Sequence, residues 1–297
     1  MKNKILTTAL YSSLFLLTAC GGGSENSSSG NSIQSKEKID YTKTESIQSI
    51  YEPIINLSQE QNNIILTKTK YAENIYYGIN SGNNFRCSEG SYTKNSDKSI
   101  TFNKCEFLDF NNDGSSITSL RVMTLSGSIN SKKILSTNSV SYDTTLKNFT
   151  ITPSNKPSVT YNGNIVSQHG STDSQYQIKE IVLNVVNNET KKTQQLMISN
   201  YQLNVNNLIL TALGKIQSNP ENKFFSVNFK SDLRFENDTD KAAFHPKSAE
   251  IIIEDTNNIR NSIKISNASN YQALISAYAD GNTVTDYPKV LEWNKLN

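Results

Sequence analysis

The sequence predicts a mainly β protein: one large, curved antiparallel meander, half-barrel or barrel-like, behind an N-terminal amphipathic helical segment. Three observations carry this. From Cys87 onward, segments rich in β-branched and aromatic residues follow one another, and apolar side chains alternate within them, as in Phe225, Val227 and Phe229 around Ser226 and Asn228. Residues that tolerate left-handed backbone separate the segments, among them Asn112-Asp113-Gly114, Asn162-Gly163, Asn187-Asn188, Asn206-Asn207 and Asp280-Gly281-Asn282. Hydrophobic residues make up only 35% of the chain, which suits strands that bury one face and wet the other.

Taken in order, the chain opens with Lys2 and Lys4, followed by an apolar run from Ile5 to Leu17 that is too short for a permanent membrane span. Residues 1–19 therefore read as a cleaved export signal. Thr18 and Ala19 followed by Cys20 resemble the lipobox of bacterial lipoproteins. The resemblance implies cleavage before Cys20, a diacylglycerol on its thiol and an acylated amine, hence stable attachment to the membrane. Gly21 follows where members of that family kept in the inner membrane tend to carry Asp, which implies an outer-membrane lipid anchor. Residues 20–43 are expected to be the lipidated Cys and a flexible tether, Gly/Ser/Asn-rich and without an apolar residue from Gly21 to Ser32.

Residues 44–80 change period. Ile47, Ile50, Tyr51, Ile54, Leu57, Ile64, Ile65, Tyr71, Ile75 and Ile79 recur at steps of three and four, along one helical stripe. Pro53 and the capping-box spacing of Ser58 and Gln61 predict two helices, over 44–56 and 59–79. Glu45, Gln48, Glu52, Gln59, Lys68 and Glu73 are assigned to the polar face. The stripe is expected to pack on the sheet; the alternative is that it covers a groove for an apolar ligand.

Residues 81–297 supply the antiparallel β domain. With Cys20 acylated, Cys87 and Cys105 remain, and in an oxidising envelope the pair reads as a disulfide. About a dozen strands follow, including separate ones at Val140–Leu146 and Phe149–Thr152, more than a flat open sheet usually holds. Thr124-Leu125-Ser126-Gly127-Ser128-Ile129 is echoed by Thr160-Tyr161-Asn162-Gly163-Asn164-Ile165.

Charge excludes some partners. The 29 Lys+Arg and 27 Asp+Glu fall to 27 against 27 once Lys2 and Lys4 leave with the signal, so nothing points to nucleic acid. Asp109, Asn111, Asp113 and Gly114 match the first half of a calcium loop, but Leu120 stands where the bidentate Glu belongs, and a hairpin turn is the preferred reading. Asp280, Asn282 and Asp286 also read as a polar turn. There is no Gly-x-Ser-x-Gly elbow, phosphate loop or Cys-x-x-Cys, and no cofactor is expected. His169 and His245 read as solvated loop residues. Glu180, Asp232, Glu236 and Glu254 fall in predicted strands, as either exposed carboxylates or members of a glycosidase pair.

Cys87 with Glu89-Gly90, Phe102-Asn103-Lys104-Cys105 and the closing Leu291-Glu292-Trp293-Asn294 resemble a group of uncharacterised proteobacterial lipoproteins, although the Gly-Gly expected after the first Cys is missing. That resemblance implies architecture and no activity. The expectation is a lipid-anchored, non-enzymatic structural or binding module facing an envelope or surface partner. Alternatives are a carrier or chaperone of lipid or another apolar ligand, and an envelope hydrolase built on His169, His245 or paired carboxylates.

Overall fold

The computed structural model describes residues 37–82, 85–110, 120–154, 157–186, 192–220, 223–269 and 271–296. Cys20, Asn111, Asp113 and the Asn187-Asn188 turn lie outside these residues.

The chain is ordered well before residue 44, which shortens the expected tether. Strand β1 (Glu37–Lys38) pairs in parallel with the first residues of β10 (Lys223–Arg234), and the Ile39 amide donates to the Phe224 carbonyl at 2.9 Å. The reason is an open edge: β11 (Ser248–Asp255) pairs with β10 only from Val227 onward, leaving Lys223 and Phe224 for β1. Ile39 and Tyr41 are buried there.

Helices α1 (Thr44–Leu57) and α2 (Ile64–Asn80) follow. Pro53 sits inside α1 without ending it. Ser58 does not cap α2; it closes α1, its amide and hydroxyl both donating to the Ile54 carbonyl. The cap is Asn63, whose Oδ1 accepts from the amides of Ile65 and Leu66. The helices bury Ile47, Ile50, Ile54, Ile55, Ile65 and Ile79 in one cluster with the inner side chains of the strands.

The remaining strands are β2 (Glu89–Lys94), β3 (Ile100–Phe110), β4 (Leu120–Leu135), β5 (Val140–Pro153), β6 (Ser158–His169), β7 (Asp173–Val186), β8 (Thr193–Asn206), β9 (Ile209–Ser218), β12 (Ser262–Ser269), β13 (Gln272–Ala279), β14 (Asn282–Thr283) and β15 (Lys289–Glu292). A short helix, α3 (Asp238–Ala242), separates β10 from β11. From β2 to β14 every neighbour in the sheet is a neighbour in sequence, an open antiparallel meander, and β15 folds back onto β13. Thirteen strands laid flat span about 60 Å at ~4.8 Å each, whereas two helices cover roughly 20 Å. A single buried cluster along that whole width requires the sheet to curl around them.

A seam of irregularities marks the bend. Register shifts fall at Phe102/Cys105, Ser126/Ser128, Leu146/Phe149, Gly163/Val166 and Ser199/Gln202. Lys104, Gly127, Asn148 and Asn200 have positive φ. Inward positions run Tyr142, Thr144, Leu146 and then Phe149, Ile151, so the extra residue at Asn148 reverses the alternation while both halves of β5 still face the core. The two strands predicted here are therefore one. Asn162-Gly163 is likewise not a turn but the middle of β6. A Cβ on Gly127 would lie 2.0 Å from the Asn148 carbonyl oxygen, and one on Gly163 2.5 Å from that of Glu180, so glycine is what lets the backbones meet across the seam.

Cys87 and Cys105 form a disulfide with 5.1 Å between Cα atoms, joining the approach to β2 to the bulge of β3.

Candidate functional site

At one end of the concave face, inward positions change from apolar to polar and aromatic. Register sets Ser131 opposite Thr144, Lys133 opposite Tyr142, Tyr142 opposite Ser167, Ser167 opposite Tyr176 and His169 opposite Ser174. Opposed residues share a face, so the ends of β4 to β7 form a single rim. Helix α2 brings Glu73, Tyr76 and Tyr77 to it, and the α1–α2 connection brings Glu60.

Glu73, expected on the polar face of its helix, is buried. It stands four residues after Thr69 and three before Tyr76, both buried, and that spacing was the available signal. Thr144 donates its hydroxyl to the Glu73 carboxylate. Thr144 and Ser131 lie 2.8 Å apart, and Ser131 and Tyr77 3.0 Å apart. With the Thr144 proton committed to Glu73, the donations run in one direction, from Tyr77 to Ser131 to Thr144 to Glu73. Burial pushes the Glu73 carboxyl above the usual range, opposed by the Thr144 bond and by Lys70.

A second arm is built on Tyr176, whose hydroxyl donates to Glu60 at 2.6 Å. Burial, and then that bond, raise the Tyr176 phenol. His169 is not in a loop: it ends β6, half-buried, its ring edge-on to Tyr142 at 6.1 Å and to Tyr176 at 5.5 Å. Its Nδ1 lies 3.1 Å from the Ser174 hydroxyl. Burial holds the imidazole below its ordinary pKa, so it is neutral at neutral pH, although the Glu60 charge works the other way. Tyr77 meets Tyr142 at 5.8 Å, and the Lys133 ammonium lies 5.9 Å from the Tyr142 ring. The result is a strip of aromatic edges flanked by Glu60, Lys70 and Lys133.

No family model, curated protein or solved structure shows significant similarity to this chain. The remaining candidate residues do not join the rim. His245 precedes β11, beyond β10, and packs edge-on to Tyr271 at 5.0 Å. Asp232 pairs with Arg234 and stands opposite Glu250 in the register, Glu254 stands opposite Asn228, and Glu180 is exposed in β7. Glu236 lies beyond the end of β10 rather than in a strand, 3.5 Å from Lys247. Asp280 accepts from Asn258 at 2.6 Å, and Asp286 from Thr44 at 3.4 Å. Among the described residues there is no cluster of potential metal ligands, and no helix is long and apolar enough to cross a membrane. The concave face opposite the sheet is occupied by the isoleucine stripe of α1 and α2.

Proposed function

We propose that this chain is a non-enzymatic binding module, held at the outer membrane by acylation of Cys20, and that it meets an envelope or surface partner through the rim of Tyr142, His169 and Tyr176. The observation that carries the reading is the row of aromatic rings at one end of an otherwise packed concave face, Tyr142 and His169 half-buried beside a buried Tyr176. Aromatic side chains offer large contact area at small entropic cost, and such rings beside mixed charges suit recognition more than stability. Placing a photo-crosslinking residue at Tyr142 in intact cells is expected to trap a discrete partner, while the same residue at Lys264 on the outer face traps none. Equal adducts at both positions would sink the reading. Replacing Cys20 with Ser is expected to move the protein from the detergent phase to the aqueous phase.

One observation favours a second reading, the cross-strand contact of Ser174 with neutral His169, which has the composition of a nucleophile and its base. Against it, His169 and Ser174 stand in interior strands paired on both sides, where backbone amides are drawn into the ladders rather than turned toward an oxyanion. A fluorophosphonate that labels Ser174 would favour the hydrolase; no label is expected.

A further inference from the structure

A second site lies at the other landmark of the fold, where the N-terminal segment crosses the start of β10. A cavity of about 180 Å³ opens there, walled by Ile39, Phe224 and Phe225 on its apolar side and by Tyr41, Asp255 and Asn261 among its polar residues. That is the volume of roughly six waters at ~30 Å³ each, and smaller than the ~300–1,000 Å³ of drug-sized sites. The turn between β11 and β12 closes it, tied to β10 by the Thr256 amide donating to the Ser226 carbonyl at 2.9 Å.

Its polar groups are fixed from behind. Asp255 Oδ1 accepts from the amides of Asn257 at 2.7 Å and Asn258 at 2.9 Å, which holds the carboxylate in place and leaves Oδ2 as an acceptor. Asn261 Oδ1 accepts from the Asp280 amide at 2.8 Å, which fixes the side chain and leaves its NH2 as a donor. The Tyr41 hydroxyl is buried and lies close enough to the Asp255 carboxylate to feel its charge, yet it closes no hydrogen bond of normal geometry, so a ligand hydroxyl bridging the two would satisfy both. Lys38 also lines the cavity, one cation to the single carboxylate. One carboxylate and a few amides fall short of the 6–8 oxygens that calcium takes, and an anion would face Asp255.

We propose that this cavity binds one neutral polyhydroxyl ring of the size of a pyranose, its hydroxyls donating to Asp255 Oδ2 and accepting from Asn261 and Tyr41, its C–H face against Phe224 and Phe225. Neighbouring hydroxyls that each give and take a hydrogen bond match this mixture of donors and acceptor. A metal ion or an apolar chain does not. The site goes beyond the rim and does not depend on it.

The test uses the full chain in detergent, with glucose, galactose and N-acetylglucosamine as separate probes in saturation-transfer NMR. At least one is expected to receive saturation, and Tyr41→Phe and Asp255→Asn are each expected to weaken its binding tenfold or more without changing the circular dichroism spectrum. Asn257→Ala, at an exposed lining position, guards against misfolding of the first two and is expected to weaken binding several-fold. Tyr142→Ala at the rim leaves the signal unchanged, which separates a failure here from a failure there. Absence of transfer from all three sugars, or transfer indifferent to Tyr41, Asp255 and Asn257, overturns the proposal.

Discussion

Asn63 and Tyr201, 138 residues apart, join the helical layer to the sheet: the Asn63 amide donates to the Tyr201 phenol at 2.9 Å, and the phenol donates to the Leu57 carbonyl at 2.7 Å. One asparagine thus caps α2 and docks it, while one tyrosine satisfies the last turn of α1. Asn63→Ala removes both roles and is expected to cost about 2–3 kcal/mol, from a cap worth ~1 kcal/mol and a buried hydrogen bond worth about as much. Urea denaturation reads the loss. In a double-mutant cycle with Tyr201→Phe the two losses should not add.

The buried Glu73 carboxyl gives a pH dependence of defined sign. Its pKa is higher in the folded chain than the ordinary 4.5, so the folded state holds the proton more tightly. The associated stability is fully present below the ordinary value and is lost as pH rises through the raised one. Glu73→Gln should abolish that decline. Because Asp40 and Asp97, held low by Thr42 and Ser99, contribute the same to both proteins, the difference between the wild-type and variant profiles isolates Glu73.

Gly127→Ala and Gly82→Ala share a positive φ but not a setting. Nothing lies within 4 Å of a Cβ at Gly82, whereas at Gly127 the Asn148 backbone blocks it. Gly82→Ala should cost about 1–2 kcal/mol from conformation alone. Gly127→Ala should cost more than about 3 kcal/mol or prevent folding, since backbone rather than a side chain must move. Chemical denaturation of the two variants side by side measures the gap.

Replacing Cys87 and Cys105 together with Ser should lower stability by about 3 kcal/mol, the loop-closure value for a bridge of this span, with a further loss from placing a hydroxyl at fully buried Cys105. Reductant should shift the wild-type denaturation midpoint and leave that of the variant unchanged.

What sequence could disclose followed from periodicity. The stripe through Ile47, Ile50, Ile54 and Ile65 is legible because a helix repeats its faces every three or four residues, and Phe225, Val227 and Phe229 because a strand does so every second one. Asn148 broke the reading for the same reason: one inserted residue reverses the alternation and resembles the end of a strand. Gly163 misled through chemistry, since Asn-Gly suits a hairpin turn and a bulge equally well. The rim was hidden more deeply. His169, Tyr142 and Glu73 come from three separated segments, and only the pairing register and the docking of α2 bring them together. Tyr41 was assigned to the tether because nothing in the sequence shows that β10 begins four residues before β11 pairs with it.

Gly127 in β4 and Gly163 in β6 occupy equivalent places, one hairpin apart, with the extra residue of β5 between them. A hairpin of this kind carries its own share of the crease. Duplicating or deleting such a pair of strands would widen or narrow the trough while keeping the fold line continuous, so proteins built this way can differ by whole hairpins and still wrap the same two helices.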